Sequence, residues 1–217
     1  MKKIMFNDKY GLETAVLNGT KTMTRRQFYI PEKLQYLYMP DDTIRIYDTQ
    51  RAGYVIQWCD SNENVRMTFY PKYVIGEVVA IAQSYETMYH EIGLETMDMF
   101  TTSMKNSKGW NNKMFVKADL MQHHIRITNV KAERLQDISE EDCLKEGIKK
   151  TIHKDASGEW GRYYWYLGVT KHNCPYGQYK EYDTAKDAFL NLIDEVSGKG
   201  TWNINPYVWV YEFELID

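Results

Sequence analysis

The stretch HHIRITNVKAERLQDISEEDCLKEGI, residues 123–148, contains the clearest strand in the chain and a short helix directly after it. Apolar and polar residues alternate over 123–135, which predicts a strand with Ile125, Ile127 and Asn129 on one face and Arg126, Thr128 and Val130 on the other. Ser139 is the predicted N-cap of the helix, and Gly147 is its predicted end. A long strand followed at once by a short capped helix is therefore the starting point for the fold.

The other predicted elements do not alternate regularly between strand and helix. A first helix runs from a cap at Asn7 or Asp8 to Leu17 and ends before Gly19. The remaining predictions are strands at 43–48, 54–58, 65–70, 74–83 and 205–216, helices at 85–100 and 184–198, a loop at 102–113, and an inserted loop or hairpin at 149–182. A doubly wound parallel sheet requires strands and helices to alternate along the chain. We therefore expect an α+β protein, a mixed or antiparallel β-barrel with peripheral helices.

The composition indicates a soluble domain that binds something small. The 217 residues are 43% hydrophobic and 26% charged, enough for one sizeable core and too apolar for a disordered chain. The net charge is −3, whereas proteins that bind long nucleic acids are usually basic. The charge balance favours a small ligand or one nucleotide over a long duplex.

The cysteines and histidines give no sign of a metal centre or disulfide framework. Cys59, Cys143 and Cys174 are far apart and lack CxxC spacing, which indicates reduced thiols. The five histidines show no metal-ligand spacing, so we expect no metal and no cofactor. With neither an apolar leader pattern nor a spanning segment, we expect a cytoplasmic protein without a membrane partner.

The stretch NGTKTMTRR, residues 18–26, packs three threonines and three cations into nine positions. It follows the predicted first helix, where the helix dipole alone favours a cation such as Lys21. Thr22 and Thr24 could simply alternate along a short strand. A site for an anion or a carbonyl substrate would also use these hydroxyls and cations, and the residue pattern leaves both interpretations open.

Three separated stretches together resemble the ASCH domain, a member of the PUA-like β-barrel group, in the longer form found in phages and prophages. They are AVLNGTKTMTRR (15–26), IRITNVKAERLQDISEEDCLKEGI (125–148) and AFLNLIDEVSGKGTWNINPYVWVYEFELI (188–216). The resemblance implies one PUA-like domain over 1–217, with insertions at about 31–73 and 149–182. It also implies a bacterial or phage-infected host cell and a ligand that is a nucleotide, a modified nucleoside or single-stranded RNA.

One branch of small ASCH proteins hydrolyses N(4)-acetylcytidine with a lysine, a threonine and a glutamate. The resemblance assigns these roles here to Lys21 as base, Thr24 as nucleophile and Glu146 as proton donor. A neighbouring cation and burial would both lower the pKa of Lys21 and make its neutral form accessible. Arg25 or Arg26 would stabilise the oxyanion, with the family pattern favouring Arg26. Gly19 and Thr22 complete the motif and are expected at the substrate.

Three alternatives to acylcytidine hydrolysis remain open in the sequence. The chain could be a non-catalytic module for single-stranded RNA, a ribonuclease, or a phage accessory protein that binds a host factor through residues 149–182. The aromatic run from Trp160 to Tyr166 would pack on the barrel or form a base-stacking wall.

Overall fold

The computed structural model describes residues 1–49, 53–92, 102–154, 157–167 and 180–216. The strands are β1 (Lys3–Ile4), β2 (Met23–Gln27), β3 (Thr43–Thr49), β4 (Gly53–Cys59), β5 (Val65–Phe69), β6 (Val78–Ile81), β7 (His124–Arg134), β8 (Lys149–Lys154), β9 (Trp160–Trp165) and β10 (Tyr207–Leu215). The helices are α1 (Leu12–Leu17), α2 (Glu32–Gln35), α3 (Tyr85–Ile92), α4 (Thr102–Lys105), α5 (Glu140–Lys145), α6 (Ala185–Ser197) and α7 (Thr201–Ile204). The prediction of an α+β protein is confirmed.

A five-stranded mixed sheet in the order β1-β6-β7-β10-β2 organises the molecule. β1 pairs with β6 in parallel, and the other neighbours are antiparallel. The interior strand β10 buries five of its nine residues, as expected for an apolar closing strand with neighbours on both sides. β1 and β2 do not pair with each other, so no closed barrel forms within the described ranges.

Two smaller sheets account for most of the predicted insertions. β3, β4 and β5 form an antiparallel meander, which confirms the strands predicted at 43–48, 54–58 and 65–70. Ile56 of β4 is fully buried and belongs to the same core cluster as the large sheet. The second insertion, at 149–182, was predicted as a loop or a hairpin, and β8 and β9 form a hairpin there. Residues 168–179 lie outside the described ranges.

The predicted faces of the 123–135 strand are wrong beyond residue 127. Ile125 and Ile127 are fully buried, but the next buried residue is Val130, and Asn129 is exposed. The cause is a β-bulge: Phe213 of β10 pairs with Ile127, whereas Glu212 pairs with Asn129, so Thr128 is an extra residue. A bulge shifts the side-chain alternation by one, which simple period-two counting does not anticipate.

Three other predicted elements differ in extent. The strand predicted over 74–83 covers only Val78–Ile81, because the chain turns at Gly76 with φ +83°. The predicted helix at 85–100 is confirmed to Ile92, and its remainder lies outside the described residues. The predicted loop at 102–113 begins with the single turn α4.

Helix caps place α5 and α6 beside the large sheet. The Ser139 side chain accepts the Asp142 N–H at the start of α5, as predicted, and Thr184 accepts the Asp187 N–H at the start of α6. The inner face of α6 buries Ala188, Phe189 and Leu192 in the core. None of the helices in the described ranges is long and apolar enough to cross a membrane.

The bulge predicts that substitutions at two adjacent positions change the stability by different amounts. Val130→Ala removes two methyl groups from the core and should lower the free energy of unfolding by about 2 kcal/mol. Asn129→Ala, on the solvent side, should change it by less than about 0.5 kcal/mol. Urea denaturation of both variants measures the difference, and equal losses would contradict the bulge.

Candidate functional site

A cavity of about 680 Å³ opens along the free edge of the large sheet. One wall is β2 from Thr24 to Gln27, the second is the segment from Met5 to Lys9, and the third is α6 from Phe189 to Ser197. Lys21, Glu146 and Lys113 complete the lining together with Leu12 and Tyr29. This volume lies within the range of small-molecule sites.

Lys21 and Glu146 form a buried ion pair in this cavity, although 125 positions separate them in the sequence. Lys21 Nζ donates to Glu146 Oε2 at 2.6 Å and to the backbone oxygen of the same residue at 2.7 Å. The Lys21 and Glu146 side chains are 2% and 6% exposed. The C-terminal ends of two helices meet here: Lys21 follows α1, and Glu146 is the C-cap of α5.

Gly147 allows α5 to end against the lysine. Its φ of +102° lies in the region that L side chains rarely adopt. A Cβ at this position would lie 3.6 Å from the Cβ and Cδ atoms of Lys21, an ordinary contact. The glycine is therefore required by its backbone conformation rather than by lack of space.

Arg25 connects three carboxylates behind the ion pair. Its guanidinium donates to Glu133 Oε1 at 2.6 and 2.9 Å, to Asp142 Oδ2 at 3.0 Å and to Glu146 Oε1 at 3.2 Å. Burial opposes its charge, but Glu146 and Glu133 outweigh that effect and raise the pKa of Arg25. Arg25 therefore holds Glu146 in place through one oxygen while Lys21 binds the other.

Burial lowers the pKa of Lys21, and the Glu146 carboxylate opposes that change. The positive charges of Arg26 and Arg25 also lower the pKa of Lys21. A lysine in this setting loses its proton more readily than an exposed one. The proton has an acceptor in direct contact, because Glu146 Oε2 lies 2.6 Å from Nζ.

Thr24 and Arg26 line the cavity with groups that remain free for a ligand. Thr24 is buried, yet its hydroxyl makes no hydrogen bond to any residue the structure describes. Arg26 donates to the backbone oxygen of Met5, and its guanidinium carbon lies 5.7 Å from the centre of the Phe6 ring. Within the described ranges no carboxylate forms a salt bridge with Arg26; burial lowers its pKa, and Tyr73 and the nearby Glu146 carboxylate oppose that change.

The open edge of β2 adds unpaired backbone groups to the same wall. Phe28 N–H donates to Tyr207 O, and Phe213 N–H donates to Thr22 O, both at 2.9 Å. In an antiparallel pair every second residue bonds its neighbour, so Met23, Arg25 and Gln27 direct their N–H and C=O groups away from β10. No described residue pairs with these groups.

A cluster around Lys113 fixes the opposite wall, and no sequence pattern predicted it. Lys113 Nζ donates to Phe6 O at 2.5 Å, Asp8 Oδ1 at 2.6 Å and Glu13 Oε2 at 2.8 Å. Burial, together with a hydrogen bond that the protonated Glu13 carboxyl donates to Asp8, raises the pKa of Glu13 to about 7, against the effect of Lys113. Lys113 lies in a stretch without periodicity, so only the tertiary structure brings it to the cavity.

The cavity collects five of the seven predicted site residues: Lys21, Thr24, Arg25, Arg26 and Glu146. Gly19 and Thr22 do not line it. Gly19 is exposed with φ +74° and ends the first helical segment, while the Thr22 N–H donates to Lys145 O. Within the described ranges, no group of three or more His, Cys, Asp or Glu side chains is arranged to hold a metal ion.

Comparison of the chain with protein-family models found no match. Comparisons with curated proteins and with solved structures likewise found none.

The Glu13 carboxyl predicts a pH-dependent stability. Because its pKa is raised in the folded protein, the neutral form is favoured by folding, and this contribution is full below the ordinary value of about 4.5 and lost as the pH rises through about 7. Glu13→Gln should reduce the fall in the free energy of unfolding between pH 5 and pH 8 by about 1–3 kcal/mol. Denaturation at both pH values measures it, and an unchanged difference would contradict the assignment.

Proposed function

We propose that the cavity is an ASCH-type pocket for a nucleotide or modified base, and that it hydrolyses N(4)-acylated cytidine. The observation that carries the proposal is the convergence of Lys21, Thr24 and Glu146 on one cavity, with Lys21 Nζ 2.6 Å from Glu146 Oε2. The resemblance assigns them as base, nucleophile and acid, with Lys21 and Thr24 from one stretch of sequence and Glu146 from another. A fold that needed them only on its surface would have no reason to bury them together.

A side-chain contact between the two edges of the large sheet supports a PUA-like assignment. Arg26 of edge strand β2 donates to the oxygen of Met5, the residue after edge strand β1. The two edges of the sheet therefore approach each other across the cavity although they are not paired by a strand ladder. A PUA-like barrel opened at this seam would place its ligand between β1 and β2.

The ion pair is one proton transfer away from the two forms that the reaction requires. Moving one proton from Lys21 Nζ to Glu146 Oε2 gives a neutral amine and a neutral carboxylic acid. The amine then accepts the Thr24 hydroxyl proton, and the carboxylic acid later donates to the departing amine of cytosine. Burial favours the neutral amine of Lys21, because the ammonium loses hydration in the cavity.

The remaining groups match the steps of amide hydrolysis. Thr24 Oγ1 attacks the acyl carbon, and Arg26, which has no carboxylate partner among the described residues, faces the developing oxyanion. The C–N bond then breaks with the proton from Glu146, leaving an acyl ester on Thr24. Water hydrolyses that ester, releases the acid and restores the threonine.

The open edge of β2 offers a way to recognise the base. Its N–H and C=O groups at Arg25 and Gln27 are an alternating row of donors and acceptors. The edge of a nucleobase presents the same kinds of groups, so a base could bind β2 as an additional strand would. Recognition through the backbone would leave the side chains of Thr24 and Arg26 free for the acyl group.

A binding module without turnover is the second candidate. The observation in its favour is that Lys21 and Arg25 are engaged with carboxylates, as in a purely structural network. Arg26 would then face a phosphate rather than an oxyanion. Such a module would bind single-stranded RNA in a salt-sensitive manner and would release no acetate.

Recognition by the edge of β2 predicts a difference between two substitutions at one position. Gln27→Pro removes an N–H that points away from β10 and should leave the sheet intact, because proline is tolerated on edge strands. It should weaken cytidine binding on the order of tenfold, the value of one hydrogen bond. Gln27→Ala keeps the N–H and should bind cytidine nearly as the wild type does. Calorimetric titration compares the two, and equal affinities would exclude this mode of recognition.

Hydrolysis predicts a loss of turnover when only the Thr24 hydroxyl is removed. Thr24→Val keeps the volume of the side chain and should reduce release of cytidine from N(4)-acetylcytidine by at least about 100-fold, whereas Thr24→Ser should retain part of the activity. Chromatography of the product follows both variants alongside Lys21→Ala. Absence of turnover in folded wild-type protein would reject the hydrolase and favour the binding module.

A further inference from the structure

A second cavity of about 690 Å³ adjoins the first, and no sequence pattern predicted it. Gln27 lines only the first cavity, Phe28 and Ile30 line only the second, and Tyr29 lines both. The two cavities therefore meet at Tyr29.

Four aromatic residues line the second cavity, and Phe28, Tyr38 and Tyr207 among them are held in position by neighbouring groups. Tyr207 donates its hydroxyl to Ile44 O at 2.8 Å, and Tyr38 donates to Asp42 O at 3.0 Å. Phe28 contacts Phe69 edge to face at 4.9 Å between ring centres. Rings that are fixed in this way lose little conformational freedom when a flat ligand stacks on them.

Arg134 supplies positive charge to the same cavity. Its guanidinium carbon lies 3.7 Å from the centre of the Tyr207 ring, and Nη1 donates to Asn205 O at 3.1 Å. No carboxylate pairs with Arg134 within the described residues. The one acidic residue of the lining, Asp42, is engaged by Trp58 Nε1, by the Met39 N–H and by Arg66, so it does not cancel the charge.

We propose that this second cavity binds the base next to the one held in the first cavity, so that the physiological ligand is a single-stranded oligonucleotide of at least two nucleotides. Aromatic side chains combined with a guanidinium that has no carboxylate partner are typical of sites that stack bases beside a phosphate. Each cavity is large enough to hold a nucleoside. Tyr29, 66% exposed, stands at the junction of the two cavities, where the linkage between the nucleotides would pass. The proposal rests on nucleobase binding in the first cavity and does not require hydrolysis.

Calorimetric titration of the full chain with cytidine and with the dinucleotides CpA and ApC tests the proposal. At least one dinucleotide should bind on the order of tenfold more tightly than cytidine, as expected for one stacked base. Arg134→Ala should remove most of that advantage and leave cytidine binding unchanged. Arg126→Ala, an exposed arginine on the same strand outside both cavities, is the matched control and should behave as wild type.

The possible outcomes test the second cavity and the proposed hydrolase separately. If cytidine binds but neither dinucleotide binds more tightly, the second cavity is not a base site and the proposal is overturned. If a dinucleotide binds with the expected advantage while N(4)-acetylcytidine is not hydrolysed, the proposal stands and the hydrolase fails. If neither cytidine nor a dinucleotide binds, both this proposal and the proposed function are rejected.

Discussion

The buried network of Lys21, Glu146 and Arg25 is the interaction on which the rest of the site depends. Removing one partner of such a pair leaves an uncompensated charge in the interior, at a cost of about 3–5 kcal/mol. The fold meets this constraint from three directions: the end of α1, edge strand β2 and the end of α5. Glu133 and Asp142 balance the second cation, which leaves Arg26 as the cation directed at the cavity.

The cavity lies at the open edge of the large sheet. β2 is bonded to β10 on one side, and on the other side its backbone groups at Arg25 and Gln27 are open. An unprotected edge normally invites aggregation. Here α6 and the segment from Met5 to Lys9 line a cavity together with β2, so this edge forms a cavity wall rather than a flat exposed surface.

Much of the local structure followed from short-range signals. The cap at Ser139, the glycine turns and the alternating strands 43–48 and 54–58 could be predicted because each depends on neighbouring residues. The bulge at Thr128 could not, because it is defined by pairing with Glu212 and Phe213, more than 80 positions away. Lys113 could not be predicted as a residue of the site for the same reason, because its partners belong to the N-terminal segment.

Sequence patterns were enough to predict the α+β class, the principal strands and helices, and the stretch rich in threonine and cations at 18–26. The contact of Lys21 with Glu146, the carboxylates bound by Arg25 and the second cavity became visible only in the folded chain. The difference is one of range. Capping and alternation act over a few residues, whereas burial of a charge and the shape of a cavity depend on groups that meet only after the whole chain has folded.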